Sequence, residues 1–269
     1  MSLDPYPGPI IIAPHFRPRP HLSHALLVWD GTISLLRGGW VDLMVDLCIE
    51  HAPGVPREVI HAEMLALNGK PSIHQMTRMA ELARTGTADD YQRCYVERLT
   101  SVVSERVTAL RAGGSVDALL VPGVQAFLGE LASRGLELTV ASGTALPDVL
   151  DEASLLGVSE SFAGRIYGPR DTTDREFSKR ATMYSLIVDH GIDGEHFVAI
   201  GDGPIEIAEA KAMGALAVAV ASDEAAPGSR RFDEFKKRQL LDCGADLVVP
   251  DFLDAVALVK LMFGERRSP

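Results

Sequence analysis

Five short apolar runs divide most of the chain, and each is followed by a glycine-containing turn and a stretch with helical periodicity. The runs cover residues 25–31, 136–144, 196–203, 215–222 and 245–251. They are too uniformly apolar to alternate with polar residues, which is typical of strands buried on both faces. Alternation of such strands with helices predicts an α/β fold, namely a doubly wound parallel sheet of five or more strands with helices on both faces.

One long segment breaks this alternation. Residues 38–118 contain helical patterns and no convincing strand, so we predict an inserted all-α cap there, with the α/β core formed by residues 24–37 and 119–269. The insertion follows the first strand, at the sheet edge where open α/β sheets bind ligands, and is well placed to act as a lid. Residues 1–23 are rich in proline, which predicts an extended N-terminal arm lying on the domain surface.

Composition narrows the classes of partner and compartment. A net charge of -11 over 269 residues gives no general attraction for nucleic acid or an anionic membrane. No apolar run approaches the roughly 20 residues that span a bilayer, and the first residues lack the features of a signal peptide. Cys48, Cys94 and Cys243 are scattered and odd in number, which indicates reduced thiols in a cytoplasmic protein. The sequence leaves the oligomeric state open.

Polar residues follow the predicted strands, and parallel strands bring such residues to one edge of the sheet. Asp30-Gly31-Thr32 follows the first strand, and Ser142-Gly143-Thr144 follows the second. Asp-Gly is common in plain turns, and Ser or Thr often caps a helix. The same groups also suit phosphate, because backbone N–H groups and hydroxyls at a helix N-terminus bind anions.

Two further loops add charge to this edge. Lys179 lies where a helix is predicted to begin, where a cation opposes the helix dipole unless an anion lies nearby, although a lone lysine is usually solvated. Asp202 ends the third strand, and Glu206 follows one helical turn later. The pair is able to hold a hard cation through oxygen, or else to serve as a turn residue and a helix-dipole acid.

The order of these motifs resembles the haloacid dehalogenase superfamily, and specifically its phosphoglycolate-phosphatase-like branch with a helical cap. The resemblance runs from Ala25 to the last strand and helix, and it is carried by residues 30–40, 122–144 and 201–207. In that family an aspartate attacks phosphorus and binds Mg²⁺, and a second aspartate two residues later acts as acid and base. The resemblance places the second aspartate at Asp30, whose carbonyl is the other metal ligand of this loop, and the nucleophile position at Val28.

The resemblance also implies roles for the remaining motifs. Ser142 would hydrogen-bond the transferring phosphoryl group, and Lys179 would balance its charge. Asp202 would bind Mg²⁺, with Glu206 supporting the metal shell through water. Further substrate contacts are expected from Thr32, Gly143, Thr144 and Lys70.

Val28 leaves the functional outcome open. An isopropyl group is no nucleophile and no metal ligand, so phosphatase activity and Mg²⁺ binding should be lost or severely reduced. In a shifted register Asp30 would be the nucleophile and Thr32 would take the second position; alternatively, Asp30 would activate water directly. A non-catalytic module that binds a phosphorylated metabolite or a partner protein is the second hypothesis. An unrelated role for a doubly wound domain is the third.

Overall fold

The structure, a computed structural model, describes residues 8–67, 72–171, 174 and 176–265, and these divide into two compact units. One unit is Leu36–Gly114, and the other contains the described residues on either side of it. The sequence predicted an all-α cap over residues 38–118, which is the segment to compare with this smaller unit. Among the described residues, no helix combines the length and apolar character needed to cross a membrane.

The larger unit is built on a seven-stranded sheet in the order β1-β7-β6-β5-β2-β3-β4. The strands are β1 (Ile11–Ile12), β2 (His24–Val28), β3 (Glu137–Ala141), β4 (Ile166–Tyr167), β5 (Phe197–Gly201), β6 (Leu216–Val220) and β7 (Leu247–Val249). All neighbours pair in parallel except β1, which pairs antiparallel with β7. The predicted parallel α/β sheet is therefore confirmed, with one antiparallel edge strand added.

Part of the N-terminal arm, which was predicted to be extended on the domain surface, forms the edge strand β1. Ile11 and Ile12 pair with Val248 and Leu247, and the amide of Ala13 donates to the carbonyl of Asp246 at 2.9 Å. Residues 10–13 lie between Pro9 and Pro14 and keep their N–H groups, so this part of the arm is able to join a sheet edge.

Within the described residues, six α-helices accompany the sheet: α5 (Val124–Ser133), α6 (Leu146–Leu155), α7 (Lys179–His190), α8 (Pro204–Ala212), α9 (Glu234–Asp242) and α10 (Ala255–Phe263). One face of the sheet presents small residues, among them Ala199, Ala217 and Ala219, to side chains of α7, α8 and α9. Every residue of β5 and β6 is buried. Burial on both faces explains why these strands read as continuous apolar runs.

The smaller unit is an all-α bundle of α1 (Trp40–His51), α2 (Arg57–Ala66), α3 (Ile73–Ala83) and α4 (Ala88–Arg111). Its core combines Met44, Ile60 and Met76 with other buried side chains. Thr87 and Asp90 form a capping box at the start of α4. Near the other end of α4, Arg106 donates hydrogen bonds to the carbonyls of Leu36 and Gly38.

A glycine fixes the start of α5 against the loop that follows β7. Gly123 has a φ of 81°, and a Cβ there would lie 2.4 Å from the backbone carbonyl of Phe252. The ring of Phe252 stacks on Phe127 at 4.3 Å between centroids. Position 123 therefore requires glycine for its backbone conformation and for the close approach.

We expect Gly123→Ala to lower the free energy of unfolding by at least ~2 kcal/mol, because alanine is strained at this φ and collides with the Phe252 backbone. Urea denaturation measures the change. The matched control is Gly129→Ala within α5, where a Cβ meets nothing within 4 Å. Alanine should stabilise that position by about 0.5–1 kcal/mol. Equal effects at the two glycines would contradict this account.

Candidate functional site

The loop after β2 is tightly folded at the carboxyl edge of the sheet. The amides of Ile33 and Ser34 both donate to the carbonyl of Trp29, and the amide of Gly31 donates to the carbonyl of Ser34. The indole of the fully buried Trp29 donates to the Glu152 carboxylate at 2.8 Å. These bonds hold the residues on either side of Trp29, which are Val28 and Asp30, in fixed positions.

The register of β2 with β3 brings the first two polar loops together. Val28 pairs with Ala141, so Ser142 emerges next to the end of β2. The Thr144 hydroxyl donates to Oδ2 of Asp30 at 2.8 Å, and the Thr144 amide donates to the Ser142 hydroxyl oxygen at 3.0 Å. The sequence predicted these residues at one edge, and the structure joins them by hydrogen bonds.

Asp202 reaches the same loop from β5, on the other side of β2. A Cβ built on Gly31 would lie 2.1 Å from Oδ2 of Asp202, so the carboxylate lies directly against the glycine. Gly31 also has a φ of 71°. The contact is possible only because position 31 has no side chain.

Glu206 and Lys179 form the next pair. The Glu206 side chain is buried in the first turn of α8, and its Oε1 accepts from the amide of Gly203 at 2.7 Å. A Cβ on Gly201 would lie 2.5 Å from the Glu206 side chain, so two glycines make room for this carboxylate. Lys179, the first residue of α7, places Nζ 3.7 Å from Oε2 of Glu206.

Lys236 is a site residue that the sequence analysis missed. It is buried in the first turn of α9, and its Nζ donates to Oδ2 of Asp202 at 3.2 Å and to Oε1 of Glu224. Asp233 caps this helix by accepting from the amides of Phe235 and Lys236. The sequence contains two adjacent lysines, Lys236 and Lys237, and the rotation of the helix about its axis determines which of them faces the sheet.

The charges of this group are strongly coupled. Burial raises the pKa of Asp202 to about 6, although Lys236 and Lys179 act to lower it and the Glu206 and Glu224 carboxylates raise it further. Burial alone would lower the pKa of Lys236, but Glu224 and Asp202 hold it above its ordinary value. Lys236 is therefore a permanent positive charge beside Asp202.

The remaining predicted site residues differ in their exposure. Thr32 is fully buried, and its hydroxyl has no hydrogen-bond partner among the described residues. Gly143 is exposed next to the buried Ser142. Lys70 lies outside the described residues. The structure thus joins the loops of Asp30, Ser142 and Asp202 directly, and Lys179 through Glu206.

Comparison with known proteins identifies the class to which this site belongs. A family model described as haloacid dehalogenase-like hydrolase matches residues 29–214, which is more than half of the chain and begins one residue after Val28. The chain belongs to the haloacid dehalogenase-like hydrolase family. Hydrolases of this family generally use Mg²⁺. Among curated proteins, none matches the sequence significantly.

Solved structures share the fold at low sequence identity. A haloacid dehalogenase-like protein of unknown function from Agrobacterium tumefaciens has a TM-score of 0.65 and 16% identity, covering 90% of this chain and 99% of that one. A family hydrolase from Deinococcus radiodurans, with bound phosphate and sodium, has a TM-score of 0.63 and 16% identity, covering 93% and 100%. A predicted phosphoglycolate phosphatase from Haemophilus somnus has a TM-score of 0.59 and 15% identity, covering 89% and 98%.

The Lys236 ion pairs give a prediction about stability. Lys236→Met removes a buried cation that faces two partly buried carboxylates, so the free energy of unfolding at neutral pH should fall by about 3–5 kcal/mol. The loss should be smaller near pH 5. Folding raises the pKa of Asp202 to about 6, so near pH 5 this carboxyl is largely protonated in the native state and loses less when Lys236 is removed. The contribution of such an acid to stability is largest at low pH and falls as pH rises. Denaturant unfolding at both pH values measures this.

The control for this prediction is the neighbouring lysine. Lys237 pairs with Glu234 within its own helix, at the surface. Lys237→Met should change stability by less than about 1 kcal/mol. Adding Asp202→Asn to Lys236→Met should recover part of the lost free energy of unfolding, because one unpaired carboxylate is removed. If the effects of the two substitutions simply add, the two side chains do not interact.

Proposed function

We propose that this chain is a phosphatase scaffold for small phosphomonoesters whose activity is lost or severely reduced by the residue at position 28. The observation that carries the proposal is the location of Val28. It is the last residue of β2, it is buried, and it lies beside the Ser142 and Asp202 loops. Covalent phosphoryl transfer needs a nucleophile there, and valine has none.

The other side chains keep the types that the family chemistry needs. Ser142 would donate to a phosphoryl oxygen, and Lys179 would offset the charge of the phosphate. Asp30, which already accepts from the Thr144 hydroxyl, would serve as the general acid and base. Thr32, Gly143, Thr144 and Lys70 remain proposed substrate contacts.

Asp30 also offers a slow route without a covalent intermediate. Its carboxylate would take a proton from water while the water oxygen attacks phosphorus. The bond from phosphorus to the ester oxygen then breaks, and Asp30 returns the proton to the departing alkoxide. Because no covalent intermediate divides the reaction into two easier steps, we expect little turnover from this route.

The residues present fit Mg²⁺ poorly. Position 28 supplies no oxygen, Oδ2 of Asp202 is already bonded to Lys236, and Oε1 of Glu206 is bonded to the Gly203 amide. Mg²⁺ demands near-ideal octahedral oxygen coordination. We propose that Mg²⁺ binds weakly or not at all, through Asp202 and the Asp30 carbonyl, with Glu206 acting through water.

A phosphorylated small molecule is the proposed ligand. The Deinococcus radiodurans structure with bound phosphate supports phosphate chemistry on this fold. The acidic net charge of -11 argues against nucleic acid or a membrane surface. All three cysteines are free thiols, which supports a reducing, cytoplasmic location.

A non-catalytic module is the second candidate function. Val28 favours it, because the side chain is buried and inert while Ser142 and Lys179 keep the hydroxyl and ammonium groups that suit phosphate. Such a module would bind a phosphorylated metabolite or a partner protein and release it unchanged.

Val28→Asp tests the proposal. The new carboxylate oxygen would attack phosphorus and expel the alkoxide, which Asp30 protonates; water activated by Asp30 would then hydrolyse the aspartyl-phosphate. Because loss of a covalent nucleophile costs on the order of a millionfold, we expect a gain of roughly a thousandfold or more over the unmodified chain. Release of inorganic phosphate from a generic phosphomonoester with Mg²⁺ measures it.

The matched control is Val28→Asn, which has nearly the same shape and no nucleophilic oxygen, and should stay inactive. The non-catalytic module would be favoured if the unmodified chain binds phosphate, Ser142→Ala weakens that binding, and Val28→Asp shows no turnover. The shifted register would instead be established if the unmodified chain is highly active, phosphate is trapped on Asp30, and Asp30→Asn abolishes the activity.

Mg²⁺ binding provides a measurement that does not depend on turnover. Isothermal titration calorimetry should detect only weak binding to the unmodified chain, and Val28→Asp should tighten it by about tenfold or more, since one anionic ligand is restored. Adding Asp202→Asn should remove that gain. Micromolar affinity in the unmodified chain would show that another acid supplies the missing ligand.

A further inference from the structure

The amino edge of the sheet, opposite the candidate active site, holds a second group of ligand-type side chains. His24 is the first residue of β2, and Glu137 is the first residue of β3. The two pair in register, so their side chains lie on the same face. His190, the last residue of α7, packs its ring against that of His24 with 4.5 Å between centroids.

The ligand atoms of these residues converge. Nε2 of His24 lies 3.8 Å from Oε1 of Glu137, and one ligand atom from each of the three side chains lies within 4.8 Å of the others. Around a tetrahedral ion with bonds of about 2.1 Å, ligand atoms are separated by about 3.4 Å. The exposed side chain of His190 needs only a small shift to complete that spacing.

A hydrogen bond at Nδ1 orients the His24 ring and leaves Nε2 to face Glu137. The Ser23 hydroxyl lies 2.8 Å from Nδ1 of His24 and donates to the carbonyl of His196 at 3.4 Å. When the Ser23 hydroxyl donates its proton to His196, Nδ1 of His24 donates to Ser23, and the lone pair of Nε2 is then directed toward Glu137. Metal-binding histidines are commonly held in this way, through the ring nitrogen that does not bind the ion.

An unprotonated Nε2 facing a carboxylate is an unfavourable contact by itself. Nε2 of His24 is buried, and among the described residues it has no hydrogen-bond partner. Oε1 of Glu137 has no proton to give, and Oε2 lies 3.7 Å from the Arg165 guanidinium. A cation shared by both atoms would satisfy them.

We propose that His24, Glu137 and His190 bind one divalent transition-metal ion of the Zn²⁺ type. Two imidazole nitrogens and one carboxylate oxygen suit Zn²⁺, Co²⁺ or Ni²⁺, whereas Mg²⁺ and Ca²⁺ select oxygen ligands. The ion joins β2, β3 and α7 on the side of the sheet away from Asp30 and Asp202. Its role is therefore structural, and it is independent of the proposed phosphatase chemistry.

Neighbouring histidines supply a control. His21 and His196 belong to the same patch, with 6.4 Å between ring centroids. Nδ1 of His196 is bonded to Asp193 at 2.8 Å, so this ring already has a partner. His196→Gln therefore changes the histidine content of the patch without touching the proposed ligands.

The experiment is a Zn²⁺ titration of the full chain after treatment with a chelator, by calorimetry, with the visible absorption of Co²⁺ reporting the ligand set. Binding should saturate at one ion per chain. His190→Gln and Glu137→Gln should each weaken it by at least tenfold, and Ser23→Ala by about ten- to hundredfold. Zn²⁺ should also raise the melting temperature of the unmodified chain and not that of His190→Gln.

His196→Gln and Asp202→Asn should bind Zn²⁺ as the unmodified chain does. Circular dichroism of each variant verifies that it is folded, and Glu137→Gln and His190→Gln test the same site from two different elements. The proposal is overturned if Zn²⁺ does not bind, if both of these substitutions leave its affinity unchanged, or if Asp202→Asn removes the binding instead.

Discussion

The parallel register of β2 between β3 and β5 is the constraint on which both proposed sites depend. At the carboxyl end, pairing of Val28 with Ala141 places Ser142 beside the Asp30 loop, and β5 delivers Asp202 against Gly31. At the amino end, the same ladder pairs His24 with Glu137. A slip of one residue would turn every side chain of β2 to the other face, so a single register determines the arrangement at both edges.

The charged side chains at the carboxyl edge of the sheet determine which further charges this edge can accommodate. Asp202 and Glu224 share the buried Lys236 ammonium, and Glu206 faces Lys179. Each lysine thus offsets carboxylates that are held away from water, where an uncompensated charge is costly. An aspartate at position 28 would add another anion to this group, and a bound cation would then be needed to offset it. Valine avoids that requirement, because it adds no charge at position 28.

The sequence was sufficient for the features that depend on local pattern. Strands β2, β3, β5, β6 and β7 were predicted because they are continuously apolar, and Asp30, Ser142 and Asp202 because they follow strand ends. The two-residue strands β1 and β4 are too short to leave a periodic signal. Lys236 depends on the phase of α9, and the partnership of His24 with Glu137 depends on strand register. Such information arises only when distant segments pair, so no local pattern contains it.

Position 28 illustrates how stability and chemistry compete at a strand end. Burying a valine side chain contributes about 1.5–3 kcal/mol relative to leaving it in water. A carboxylate at the same buried position would lose that contribution and would also lie near other acids, so an unbound aspartate is a destabilising residue there. In an active enzyme the metal and the phosphoryl group compensate for this cost. Valine at this position carries no such cost, and the hydrogen bonds of the neighbouring Trp29 and Asp30 are in place around it.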